Sequence, residues 1–303
     1  MTTTNKPRSS WFKREYLDAY ILIAPAVLIF LFFVIYPLFR TIQVSFYDYG
    51  LTDPVMKFIG LQNYIEMTKD PVIWTALKNN VIILVGSVIV QVGMGLILAA
   101  ILNRGIRYGR TIFRTIHFAP MVMSVVAVGV LWQLVYDPGV GILNKLLKLM
   151  HLGVPQQGWL GDPHLVIYSV LVVACWQYTG FMMVLLLAGM QSVPIELYEA
   201  ARIDGASEIQ SFLYVTIPCI RNVILAAVLI TMIGAFKVFD IVYVLTRGGP
   251  ANASQVLGTY IYYQAFTNNM AGYGSAIAVV LLVIAIALGI VQLRFSRGVG
   301  GRA

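Results

Sequence analysis

V-P-I-E-L-Y-E-A-A-R-I-D-G-A-S-E-I-Q-S-F-L-Y-V-T-I-P-C-I-R, from Val193 to Arg221, is a charged stretch set between two long apolar ones. Pro194 fits a first helical position, where its missing N–H is no loss. Glu196 and Glu199 then fall in the opening turns, where the helix dipole favours negative charge. Asp204-Gly205 reads as a stop, because glycine takes the left-handed cap conformation that other residues resist. A second short helix is expected from Ala206 to about Thr216, until Pro218 breaks it. The stretch reads as helix, sharp turn, helix, held between two membrane spans.

Composition supports the membrane reading. The chain has 303 residues, 59% of them hydrophobic and only 11% charged, and a spanning helix needs about 20 apolar residues. Its two cysteines, Cys175 and Cys219, give no disulfide framework and are expected in different environments. Long apolar runs place spans at Ala19–Phe39, Asn79–Asn103, Thr115–Tyr136, His164–Gly189, from Pro218 to about Leu245, and at Gly272–Leu293. Gly86, Gly93 and Gly95 in the second run would admit a neighbouring helix closely. Between spans, Arg40 to Ile73 reads as a polar loop, and Leu143, Leu146, Leu147 and Met150 as a short helix on the membrane surface. The expected fold is all-α and polytopic, with an N-terminal segment 1–18, a six-span domain 19–294 and a tail 295–303.

Six spans put both termini on one side. That side, with the 104–114 loop and the central loop 191–221, holds thirteen basic residues against seven opposite. The positive-inside rule makes it cytoplasmic. The net charge of +8 is then accounted for without nucleic acid.

Catalytic chemistry is not legible. There is no phosphate-binding G-x-x-x-x-G-K-[ST], no H-E-x-x-H and no G-x-S-x-G. The three histidines, His117, His151 and His164, are spaced unlike a metal site, and His117 is expected to hydrogen-bond between helices. If ATP drives transport, another polypeptide must hydrolyse it. Lys237 and Asp240 fall in the fifth span, three residues apart and so on one helix face. They read either as a charged pair facing a cavity or as a lysine snorkelling to the outer interface. Trp176, Gln177, Tyr178 and Phe181 in the fourth span join rings to polar groups. That mixture suits a sugar, and it equally suits an interfacial aromatic belt.

Glu199-Ala200-Ala201, then Gly205 three residues on, then Val215, Ile217 and Pro218, resemble the EAA loop of binding-protein-dependent ABC importer permeases. The resemblance implies a type I importer fold and a coupling helix docked in a separate ATPase. Glu199 would be the docking carboxylate, Ala200 and Ala201 would allow close approach, and Gly205 the turn, with Asp204 and Pro218 in the same loop. Gly158-Trp159-Leu160-Gly161-Asp162-Pro163, Phe236-Lys237 and Phe239-Asp240, and Leu245 to Pro250 further resemble carbohydrate-importing permeases of the maltose, oligosaccharide and glycerol-phosphate type. The closest similarity is to their first permease subunit. This implies a bacterial inner-membrane assembly with a second permease, two ATPases that hold ATP and Mg, and an extracytoplasmic solute-binding protein. No cofactor is expected on this chain. The maltose-type site matches Gln177, Tyr178, Phe181, Thr231, Gly234, Ala235 and Val238. Several of these are apolar, so the substrate is expected to differ, and Lys237 leaves room for an anionic sugar derivative. The rival classes are an ion-coupled secondary transporter, for which Asp240 is the one clear intramembrane carboxylate, a channel, and an intramembrane enzyme, for which no nucleophile or metal set is legible.

Overall fold

The computed structural model describes residues 11–105 and 108–300. Lys6, Arg8, Arg107 and Arg302 from the charge argument lie outside the described residues. The first span is helix α1 (Trp11–Phe30), a π turn at Leu31–Ile35, and α2 (Tyr36–Val44), so it runs further than the expected end at Phe39. The segment expected as a polar loop is ordered. Tyr47–Asp48 (β1) pairs antiparallel with Lys57–Phe58 (β2), and α3 (Gln62–Lys69) follows. This two-stranded ribbon is a small departure from an all-α chain.

Asp70-Pro71, inside the stretch expected as a polar loop, starts a helix. The Asp70 carboxylate accepts from the Val72 N–H at 2.9 Å, and Pro71 sits in the first turn, where no N–H is needed. α4 (Pro71–Ser87), a π turn at Val88–Val92 and α5 (Gly93–Ala100) then run without a break to Asn103.

The third span is bent. α6 (Arg110–Val122) and α7 (Val125–Val135) meet at 102° across Met123-Ser124. α6 lies along the central helix, whereas α7 leaves it for a later one, with Gln133 Nε2 donating to the Val244 carbonyl at 2.7 Å. The competing packing of the two halves makes the corner. α8 (Ile142–Leu149) is the short amphipathic helix expected there.

α9 (Val166–Gln191) is the hub, buried on most sides. Its lower half packs with α5 through Met182, Met183, Leu186 and Met190. Its upper half packs with α4 and α7 through Val170, Val173, Ile83 and Val128. Lipid offers no hydrophobic drive to bring helices together, so close approach rests on small residues. A side chain at Gly95 would meet the backbone of Met182 and Met183. Gly86 faces Leu171, whereas Gly93 faces open space.

After the central loop, α13 (Arg221–Phe236) and α14 (Asp240–Thr246) form a broken fifth span, and α15 (Leu257–Tyr262) with α16 (Ala271–Gly300) completes the chain. Four helices are long and apolar enough to cross a membrane, or six spans if each bent pair counts as one. Asn79 Nδ2 donates to the carbonyls of Ala253 and Gln255, each at 2.8 Å, and Asn80 Oδ1 accepts from Leu257 N–H at 2.9 Å. Two adjacent polar residues of α4 therefore hold the 253–257 segment in place.

Candidate functional site

The fifth span stops at Phe236 and restarts at Asp240, with Phe239 far from helical (φ −140°, ψ −60°). Gly258 at the start of α15 packs on the Val238 carbonyl and Phe239, so another helix end lies against the break. Lys237 and Asp240 therefore flank a break and do not share a helix face. They form no ion pair with each other.

A cavity of about 280 Å³ opens beside this break, between α4, the α6–α7 corner, α9 and α13. Eight of the ten sequence-derived pathway residues line it. Tyr178 and Phe181 come from α9, Thr231, Gly234 and Ala235 from α13, and Lys237, Val238 and Asp240 from the break. Trp176 and Gln177 are not among the lining. Trp176 meets Trp132 edge-on at 5.6 Å and 71°, and Gln177 is buried, its Oε1 without a hydrogen-bond partner.

Sequence reasoning missed Ser87 and Gln91, buried polar residues of the second span that also line the cavity. Their signal was present, as a hydroxyl and an amide four apart in an otherwise apolar run. Gln91 Nε2 reaches the Ala174 carbonyl at 3.5 Å, a long bond. Thr231 has only the Met182 sulfur at 3.6 Å. These groups keep hydrogen-bonding capacity for a polar guest, while Phe181, Val238 and Ile230 supply apolar surface.

At the other end of α9 and α13 lies the central loop. Pro194, expected at the first helical position, is instead the cap, and α10 (Ile195–Ile203) starts one place later. Gly205 adopts φ +78°, the left-handed stop, with Ala206 N–H bonded back to the Ala201 carbonyl at 2.9 Å. Ser207 caps α11 (Glu208–Ser211), and Gln210 closes the reciprocal bond. The break expected at Pro218 falls later. A π turn at Phe212–Thr216 widens the helix where the proline ring would meet a carbonyl, so α12 (Ile217–Cys219) passes through it. The chain then bends 71° at Ile220 into α13. Tyr198 OH and Thr216 Oγ1, 3.0 Å apart, brace the two arms.

Glu199, Ala200, Asp204, Gly205 and Pro218 are exposed, and Ala201 is half-buried. Glu199 has no partner among the described residues. Beside them Ile203, Ile209 and Tyr214 are 86%, 72% and 77% exposed. A charged loop that leaves three large apolar side chains uncovered has the make-up of an interaction site. Sequence reasoning had singled out only the motif residues.

Among the described residues no group of three or more His, Cys, Asp and Glu could hold a metal. His117 bonds within its own helix, Nδ1 to the Phe113 carbonyl at 2.9 Å, and stacks on Phe113. The interhelical bond expected of it is replaced by a contact of its main-chain carbonyl with Gly180.

A helical bundle with a polar-apolar cavity at a broken span, and a braced loop joining the two helices that line it, defines a transport permease. The model of the family described as the binding-protein-dependent transport system inner membrane component matches residues 91–301, and the chain belongs to that family. It is 43% identical over 279 residues to the probable ABC transporter permease YurN of Bacillus subtilis, covering 92% of this chain and 95% of that one. It is 35% identical over 303 residues to the lactose transport system permease LacF of Rhizobium radiobacter, with 98% and 99% covered. A solved bacterial ABC transporter involved in import of the acidic polysaccharide alginate has a chain matching with a TM-score of 0.82 at 25% identity, over 94% of this chain and 96% of that one. The fold is therefore that of a multi-pass ABC importer permease of the inner membrane.

Proposed function

We propose that this chain is one permease subunit of an ATP-driven importer of a sugar or sugar derivative. It forms half of the translocation pathway. The observation that carries the reading is the direct connection between cavity and loop: α9 and α13 line the first and are joined by the second. A rigid displacement at the loop therefore reaches the cavity walls without an intervening flexible segment. The sugar class is supported by what relatives are named for and by a lining that mixes hydroxyl, amide and ring. Lys237 in the lining leaves room for an anionic sugar derivative.

Glu199, Ala200, Ala201, Asp204, Gly205 and Pro218 form the ATPase-docking element, with Glu199 the carboxylate that pairs across the interface. ATP and Mg are held by two ATPase subunits, and this chain carries no catalytic residue. A second permease completes the pathway, and an extracytoplasmic binding protein delivers the substrate. Both termini and the central loop face the cytoplasm.

Purification from membranes in mild detergent tests the coupling. An ATPase subunit is expected to co-purify with the wild type and to be lost, or left uncoupled, with Glu199→Ala and with Gly205→Pro. If no ATPase is recovered and vesicle uptake follows a proton or sodium gradient, the chain is an ion-coupled carrier instead.

A further inference from the structure

Four aromatic rings lead from the protein surface to the cavity, three of them packed on one another and the fourth extending outward. Phe239 lines the cavity beside Lys237 and Asp240. Its ring stacks on Tyr243 (5.2 Å, 18°), and both meet Tyr262, at 5.7 Å from Phe239 and 5.2 Å from Tyr243. Tyr262 also meets Phe266 at 5.2 Å, so the ring-to-ring route is Phe266, Tyr262, Phe239, with Tyr243 packed beside it. Exposure rises along it: Phe239 and Tyr243 are half-buried, Tyr262 is 37% exposed and Phe266 63%. Two elements build the route, α14 and the α15 end with its π turn at Tyr263–Thr267.

The route lies far from the docking loop. α13 runs 16 residues from Arg221 to Phe236, which is about 24 Å of helix, before the break is reached. Under the orientation proposed above, the outer rings are on the extracytoplasmic side, where substrate arrives.

We propose that Phe239, Tyr243, Tyr262 and Phe266 form a track along which the sugar moves from the outer mouth to the cavity. This rests on the sugar-importer reading and adds a path to it. A sugar ring has an apolar C–H face and a polar edge, and an aromatic ring takes the face while leaving the hydroxyls to water or to tyrosine. A series of equivalent rings binds at many points and tightly at none, which is what a conduit needs: entry is favourable and departure is not blocked. An aromatic belt would spread around the molecule at one depth. These rings instead run from an exposed end at Phe266 through Tyr262 to the cavity wall at Phe239.

The test uses the whole complex of both permeases, the ATPases and the binding protein in proteoliposomes. The probes are labelled lactose, maltose, trehalose and an acidic disaccharide, and variants are scored on those that the wild type imports. Tyr262→Ala and Phe266→Ala are expected to lower sugar imported per ATP hydrolysed about fivefold, whereas Tyr262→Phe and Phe266→Trp keep it within about twofold. Stimulation of the ATPase by loaded binding protein should be unchanged in all four. Undiminished import by both alanine variants would overturn the track while leaving the importer intact. Loss of the second permease from Phe266→Ala complexes would also overturn it, making the rings a subunit contact. Import of no probe by an ATP-hydrolysing wild type would remove the sugar reading and the track with it.

Discussion

The main-chain carbonyl of His117 occupies the space that a side chain on Gly180 would need. This contact sets how closely α6 lies against the hub helix. It also sits one helical turn from Met121 and two residues from Tyr178, both of which line the cavity. Gly180→Ala is expected to push the two helices apart and to cost about 1–3 kcal/mol, as overpacking of a tight site does. Thermal unfolding in detergent would register the loss. An unchanged midpoint would mean that α6 moves freely on α9.

Asp70 does two jobs. It caps α4, and its Oδ2 accepts the hydroxyls of Tyr260 at 2.6 Å and Tyr273 at 2.8 Å, tying α15 and α16 to the start of α4. Asp70→Ala is expected to cost about 1–3 kcal/mol from the stranded phenols and about 1 kcal/mol more from the cap. Tyr273→Phe removes one phenol cleanly and should cost less. Protease resistance of the 253–270 segment would rank the three proteins.

Asp137 gives a pH-dependent signature outside the spans. The N–H groups of Val140 and Gly139, each at 2.8 Å, hold its carboxyl below the ordinary value of 3.8. A carboxyl whose native value is depressed stabilises the fold above its unfolded value, and that stability is lost as pH falls through the native value. The wild type should therefore lose more stability than Asp137→Asn on going from about pH 6 to pH 3. The contrast in unfolding midpoints at the two pH values is the measurement.

Cys219 is exposed beside the central loop and Cys175 is buried. A membrane-impermeant maleimide is expected to label inside-out vesicles once per chain, at Cys219, and to leave intact cells unlabelled. Labelling from outside would reverse the proposed orientation.

Much of this was legible from spacing alone. Apolar runs located the long helices because a bilayer imposes their length. The turn at Gly205 and the two arms of the loop followed from caps and breakers. The corner at Met123-Ser124 was hidden because the marker residue misleads: Pro120 lies inside α6, and the chain turns after it. The cause is distant, since α6 is held by α9 and α7 by α14. The break at Lys237 was hidden for the same reason. Nothing between Ala235 and Asp240 is a helix breaker, and what lies against the break is the start of α15, about twenty residues later in the chain. That break undid the inference that Lys237 and Asp240 share a face. Gln91 and Ser87 were readable but passed over among apolar neighbours.

The first span has no buried residue in its most apolar window, although it runs 27 residues from Asp18 to Val44. At 1.5 Å per residue this is about 40 Å of helix, against about 30 Å of hydrocarbon. Only its α2 end packs on the bundle, against α16. In the subunit alone, hydrophobic mismatch is therefore expected to fall on this helix first, which can lean in a thinner bilayer, whereas the second span, longer still, is walled by α9 and α13. Lipid chain length thus has a mechanical point of entry into the subunit at its N-terminal helix.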